Sequence, residues 1–400
     1  MKPSPAHSPA TDMTLLHLDP SDLEHRGATH TAREIAHQPA VWQAIERQLQ
    51  AERAALDAFL APLLALPDLR IVLTGAGSSA FIGQCLAPGL LRLLGQRPGI
   101  RVEAVATTDI VSSPDQCLQP DVPTLLVSFA RSGNSPESLA AVELADRVVK
   151  TCHHLAVTCA AEGQLNRRLS GKPGAHVLLL PDETHDRSFA MTSSFTGMLL
   201  AAAWAFGLPL QPAADLGQAA NRLAEQETDR LYALTEAPFE RVVYLGSNTL
   251  LGLAREAALK LLELTDGKLV AMADSPLGFR HGPKTILNDR TLVVIFLSND
   301  PYTRQYDLDL LRQLRQEGLA RVLALGAAPG DAAAAHADDV PLALPDTAPD
   351  LALAPVALVF AQCLALLASL QRGITPDNPS ASGTVTRVVS GVTIHPLTQG

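Results

Sequence analysis

The chain carries no basic excess, no paired-cysteine motif and no membrane-length apolar run, and each lack closes off a class of function. Its net charge is −10 over 400 residues, so no broad cationic surface is available for a nucleic acid, although a local pocket can still hold a phosphate. Even the apolar stretch 196–210 (TGMLLAAAWAFGLPL) stops at Gly207 and Pro209. That is short of the roughly 20 residues a spanning helix requires. It reads as a core helix, and no membrane partner is expected. The N-terminal MKPSPAHSPATDM has one Lys, three Pro and no apolar segment, which excludes a secretory signal and points to the cytoplasm. The five cysteines (Cys85, Cys117, Cys152, Cys159, Cys363) form no CxxC pair and most lie in apolar stretches, so free thiols are expected. Cys152-His153-His154 leads directly into the strand-like HLAVTC and lacks the ligand-loop spacing of a zinc site, so no metal is assigned.

What is present is a pattern stated twice. LRIVLTGAGSSAFIG (69–83) is a buried-type strand, a glycine-rich turn and a helix start, and RVVYLGSNTLLGLA (241–254) repeats it. TLLVSFARSGNSPES (124–138) corresponds to TLVVIFLSNDPYTRQ (291–305), HLAVTC (154–159) to RVLALG (321–326), and HVLLLP (176–181) to DVPLALP (339–345). Self-similarity at one offset signals duplication. Alternating apolar strands and helices predict an α/β fold in which each half is a parallel sheet flanked by helices on both faces. The expected organisation is a flexible tail over 1–30, a helical lead-in over 31–68 opened by a capping box at Thr31-Ala-Arg-Glu34, one α/β domain over 69–215, a second over 216–375, and a terminal tail over 376–400.

In such sheets ligands bind beyond the carboxyl ends of the strands. That places Gly75-Ala76-Gly77-Ser78-Ser79 and Arg131-Ser132-Gly133-Asn134-Ser135 at binding positions. Each offers hydroxyls and backbone N–H groups at a helix start, which suits an anion. Taken alone, Gly75 and Gly77 could serve only a tight turn, and Ser135 could serve only as a helix cap. The loop is neither a Walker motif nor GxGxxG, because Ala80 stands where the third glycine belongs. A third hydroxyl cluster, Thr192-Ser193-Ser194, could complete a phosphate cradle. On the helix over 254–265, Glu256, Lys260 and Glu263 share one face. From spacing alone this is either a salt-bridged surface or a catalytic cluster.

These segments resemble tandem sugar-isomerase (SIS) domain proteins over about 69–400. The carrying strings are G-x-G-S-S, AREAALKLLEL (254–264) and GFRHGP (278–283). ETHDRSFAMTSS (183–194), DSPLGFRHGPK (274–284), PYTRQYDLDLL (301–311) and PDNPSASGTVTRVV (376–389) resemble the galactosamine-6-phosphate deaminase group in particular. The resemblance implies a hexosamine or ketohexose 6-phosphate held by Gly77, Ser78, Ser79, Ser132, Ser135, Thr192 and Ser193. It implies that Glu263 moves a proton between C1 and C2, that Lys260 lines the site, and that His281 opens the sugar ring from a neighbouring subunit. A homodimer or larger homo-oligomer with a shared site follows, with the tail closing that site and no metal or organic cofactor. Ala130 and Met191 depart from the pattern, and Arg131 is the candidate for supplying charge in their stead. Thr384 stands where the related synthase has a lysine, which removes Schiff-base chemistry by the tail. The implied reaction is deamination of galactosamine 6-phosphate. Its rivals are ketose/aldose isomerisation, deamination of the gluco epimer, and phosphosugar sensing by a regulator.

Overall fold

The structure, a computed structural model, describes residues 15–95, 97–326, 336–389 and 391–397. The first sheet contains β1 (Leu69–Thr74), β2 (Ile100–Ala104), β3 (Thr124–Ala130), β4 (Cys152–Thr158) and β5 (Ala175–Leu179), all parallel, in the order β2-β1-β3-β4-β5. The second contains β6 (Arg241–Leu245), β7 (Val270–Asp274), β8 (Thr291–Phe296), β9 (Arg321–Gly326) and β10 (Val340–Pro341), in the order β10-β9-β8-β6-β7. Counted from its own first strand, each sheet has the same order, so the duplication read in the sequence is a duplication of topology. The order reverses between β1 and β3, and that reversal opens a crevice at their carboxyl ends. Thr74 pairs with Ser128 near those ends, so the turns that follow emerge side by side.

The two halves share one core. The Ser193–Ala205 helix is buried at all but one position, and the Asp350–Gln371 helix is buried from Leu351 to Leu370. Asp350–Gln371 corrects the expectation that no segment reaches membrane-spanning length: by length and composition it does, and the fold buries its apolar window completely. Its single mid-helix amide, Gln362, accepts from Gln38 Nε2 at 2.7 Å. Gln38 Oε1 in turn accepts from Thr196 Oγ1 at 2.7 Å. A buried polar chain thus ties the lead-in helix Gln38–Leu64 to both core helices.

The tail expectation is corrected in part. Residues 1–14 lie outside the described residues, but 15–30 are built into the fold. Asp19 caps the Pro20–His25 helix through the N–H groups of Ser21 (2.8 Å) and Asp22 (3.2 Å). Asp377 accepts from the N–H groups of His30 (3.0 Å) and Thr31 (2.7 Å), holding the start of the Thr29–Ala36 helix. The capping box does not form, because the helix starts before Thr31 and Glu34 serves a distant loop. Glu34 Oε1 accepts from Arg187 N at 2.5 Å, and Oε2 accepts from Ser188 N at 3.2 Å.

Burial, reinforced by the charge of Asp186, pushes the Glu34 carboxyl up to about 7. The folded state therefore holds a proton that the unfolded chain has released between the ordinary carboxylate range and neutrality. Stability is highest at the acid end of this window and falls as pH rises through it. Glu34→Gln is expected to flatten the decline of melting temperature between pH 5 and pH 8. A residual slope remains from Glu256, pushed to about 7, and Asp307, pushed to about 6, both by burial. Calorimetry of both proteins across that range checks it.

Candidate active site

Two helices that follow equivalent first strands cross antiparallel at close range: Ser78–Leu94 after β1 and Thr249–Leu264 after β6. Gly252 permits the contact, since a Cβ there would lie 2.7 Å from Cys85 Sγ and 2.8 Å from its N. Two turns further on, the crossing delivers Lys260 to the start of the partner helix, where Lys260 Nζ donates to Ser78 Oγ at 3.0 Å. Sequence spacing places Glu256, Lys260 and Glu263 on one face; the structure turns that face inward. Lys260 and Glu256 are fully buried. The Glu263 side chain keeps 23% exposure. Lys260 donates to Glu263 Oε2 and lies 3.4 Å from Glu256 Oε1.

These charges balance one another in a dry environment. Burial drives the Glu256 carboxyl up to about 7 against the pull of Lys260. Burial alone would depress the Lys260 ammonium, but Glu256 and Glu263 outweigh it and its pKa is raised. The lysine is therefore a held cation between two carboxylates, and the arrangement is no solvated surface pair. Breaking such a pair leaves buried charge uncompensated and costs about 3–5 kcal/mol. Lys260→Met is expected to lower stability by about that amount. The loss should be larger at pH 8 than at pH 5, because the remaining carboxylates are favoured only when protonated. Denaturant titration at the two pH values measures it.

The first loop supplies a helix start. Gly77, with φ +55°, is the N-cap position of Ser78–Leu94, and Asn248, with φ +51°, takes the same place before Thr249–Leu264. Only the first half combines this turn with a buried serine facing the lysine. Ser79 Oγ lies 3.9 Å from Met191 Sδ, so Met191, where the family pattern departs, forms a wall beside the loop. In the second loop, Ser132 Oγ accepts from Asn134 N at 3.3 Å. Ser135 caps the Pro136–Val148 helix through Ser138 N at 3.3 Å.

The third cluster is occupied from within. Asp186 accepts from the N–H groups of Thr192 (2.8 Å), Ser193 (3.1 Å) and Ser194 (2.9 Å). It also accepts from the hydroxyls of Thr192 (3.1 Å) and Ser193 (2.5 Å). The N–H groups and hydroxyls of Thr192 and Ser193, expected to complete a phosphate cradle, are engaged here by the Asp186 carboxylate. A carboxylate already satisfies that helix start, and a phosphate there would meet like charge. The signal was present in the sequence, since Asp186 stands six residues before Thr192, but a hydroxyl-rich turn looks the same whichever anion it serves.

Arg131 is 7% exposed. It donates to the carbonyls of Phe189 at 2.9 Å and Ser188 at 3.4 Å, and to the carbonyl of tail residue Arg387 at 2.8 Å. Its pKa is lowered, first by burial and then by the charge of Arg387, with Asp186 and Glu263 acting the other way. Arg131 thus ties the second loop to the 188–189 segment and to the tail. His281 stands apart: it is exposed on the turn between Pro276–Phe279 and Pro283–Ile286, and no hydrogen bond or ion pair joins its side chain to a described residue. At the opposite end of the first sheet, Asp146, Cys152 and His154 bring potential ligand atoms within 4.8 Å of one another. Asp146 is already engaged there by Lys172 at 2.5 Å and by His154 at 2.8 Å.

The fold and the site define a duplicated α/β protein whose halves meet at a buried lysine between two carboxylates, beside two strand-end loops suited to a phosphate. The sequence profile of the SIS domain matches residues 64–207 and 234–372. The chain belongs to the SIS domain family. It is 49% identical over 377 residues to D-galactosamine-6-phosphate deaminase AgaS of Escherichia coli, covering 92% of this chain and 96% of that protein. It is 42% identical over 386 residues to the protein of the same name from Shewanella sp. (strain ANA-3), covering 96% of each. A solved structure of tagatose-6-phosphate ketose/aldose isomerase from Escherichia coli superposes with a TM-score of 0.84 at 46% identity, covering 92% of this chain and 96% of that one.

Proposed function

We propose that the protein converts D-galactosamine 6-phosphate and water to D-tagatose 6-phosphate and ammonia. The observation that carries this reading is Lys260, buried between Glu256 and Glu263 and bonded to Ser78 at the start of the β1 helix. A carboxylate held beside a fixed ammonium can move a proton while developing oxygen charge is stabilised nearby. The similarity to D-galactosamine-6-phosphate deaminases over nearly the whole chain supports the substrate.

In this mechanism the turn at Gly77, Ser78 and Ser79 and the loop at Arg131, Ser132 and Ser135 hold the phosphate. Anchoring at that remote group orients the sugar without entering the chemistry. His281 of a second copy opens the ring. Glu263 removes the C2 proton of the open-chain aldehyde, and the electron pair moves through C1 onto the carbonyl oxygen, which gains a proton, giving an enolamine. Protonation at C1 yields the 2-iminium. Water adds at C2, the nitrogen leaves as ammonia, and the ketone remains. The substrate and water are the only reactants. The exposure of His281 on its own chain supports a dimer, or a larger homo-oligomer, with shared sites, and the terminal tail that follows Pro376 closes each site. A charged sugar phosphate does not cross a membrane unaided, which puts enzyme and substrate together in the cytoplasm.

Ammonia and ketose phosphate should appear in equal amounts from galactosamine 6-phosphate and not from glucosamine 6-phosphate. Ammonia from the gluco compound alone would overturn the choice of epimer. Interconversion of tagatose 6-phosphate with its aldose, without ammonia, would favour the second reading, which the similarity to a ketose/aldose isomerase supports.

A further inference from the structure

The tail beyond residue 380 touches the body of the fold in an unusual way. Among the described residues, every hydrogen bond joining residues 381–397 to the fold before residue 379 is made by Arg387. Its carbonyl accepts from Arg131 at 2.8 Å, its Nε donates to the Ser188 carbonyl at 3.1 Å, and its Nη2 donates to the Asp186 carbonyl. The remaining bonds of this segment are local, such as Val385 N to Ser380 Oγ at 3.3 Å. Val385 and Val389 stay exposed on either side of this anchor.

Arg131 and Arg387 converge on one acceptor, since both donate to the Ser188 carbonyl. Neither guanidinium forms an ion pair with a described carboxylate. Asp186, the nearest candidate on this loop, spends its carboxylate on the N–H groups and hydroxyls of residues 192–194. A buried cation, Arg131, and a half-buried one, Arg387, are thus drawn together with carbonyl dipoles alone to answer them. An unpaired buried cation is costly, and two beside each other repel. Each still has capacity: a guanidinium carries five N–H donors, and no bond uses Nε of Arg131 or Nη1 of Arg387 among the described residues. Arg131 is adjacent to Ser132 in sequence, and the charge of Glu263 is among those that act on it.

We propose that Arg387 binds the phosphate of the substrate together with Arg131, so that the phosphate is the missing counter-ion and its arrival fastens the tail over the site. The inference rests on the phosphosugar reading and deepens it, assigning to the tail a binding group in place of the lysine that Thr384 lacks. Closure is then coupled to the one feature every acceptable substrate shares. Guanidinium pairs suit phosphate because two parallel N–H groups match two oxygens.

The test uses the full chain and inorganic phosphate, so it requires no turnover. Isothermal titration is expected to show phosphate binding that weakens about tenfold or more in Arg387→Ala and recovers in part in Arg387→Lys, which keeps charge but loses the bidentate geometry. Hydrogen exchange of the 381–397 amides should slow on adding phosphate to the wild type and be unaffected by it in Arg387→Ala. Melting temperatures of the two variants should match the wild type without phosphate. Equal phosphate affinity in Arg387→Ala, or exchange in the wild type that ignores phosphate, overturns the proposal. A protein that binds phosphate through Arg387 yet leaves galactosamine 6-phosphate unchanged would instead sink the substrate reading alone.

Discussion

Glu263→Gln is expected to reduce kcat for deamination by about 10³-fold or more while leaving the protein folded, because positioned general acid–base groups contribute roughly 10²–10⁴-fold and this reaction uses the same carboxyl at both C2 and C1. The substitution is close to isosteric, and Lys260 keeps Glu256 at 3.4 Å as its counter-charge. Removing the Glu263 charge also relieves one of the influences that raise the Glu256 pKa, so the cluster is less strained electrostatically in the variant. The two carboxylates are told apart by access. Glu256 is wholly enclosed, whereas the Glu263 side chain retains 23% exposure and so is open to a ligand. Exchange of the C2 hydrogen of the substrate with solvent should vanish along with ammonia release. A variant retaining more than a tenth of wild-type exchange would move the role of base to Glu256.

Why some of this was legible and some was not follows from what each element buries. Strands covered on both faces become continuous apolar runs, so β1, β3, β4, β6, β8 and β9 could be read directly and matched in pairs. β2 and β7 could not: each is an outer strand, IRVEA and VAMAD, mostly half-buried, with no clean alternation. Asp350–Gln371 is apolar on every side because it is packed on every side, which removes the helical period that would have announced it. The short Pro20–His25 helix has no buried residue of its own and stands on the Asp19 cap. Helical spacing was enough to collect Glu256, Lys260 and Glu263, but it could not say whether their face meets water. That depends on a contact between Ser78 and Lys260, far apart in the chain and enabled by the missing side chain of Gly252. The hydroxyls of Thr192 and Ser193 have the look of ligand donors, since the turn itself does not reveal that Asp186 caps it from outside the helix. The pairing of Arg131 with Arg387 had no local signal at all, since it joins the second loop to the terminal tail.

The same separation of parts makes a second large effect predictable. Glu263→Gln and His281→Asn should each be inactive alone, yet mixing them under conditions that exchange subunits should restore about one quarter of wild-type activity. If a site takes Glu263 from one copy and His281 from its neighbour, a mixed dimer contains one site with both defects and one with neither. Random reassortment makes about half the dimers mixed, and each of those has one intact site of two, as two-fold symmetry requires. The basis is the position of His281, exposed on a turn of its own chain with no side-chain bond to a described residue, while Glu263 is paired with the buried Lys260 and keeps 23% exposure. Subunit exchange can be followed by mass spectrometry independently of activity. Recovery near one quarter, proportional to the mixed fraction, establishes sites built across the interface. Mixed dimers that form and stay inactive would mean that each chain supplies its own ring-opening group, and the search would return to the histidines near the loop, His185 and His37, which flank Asp186.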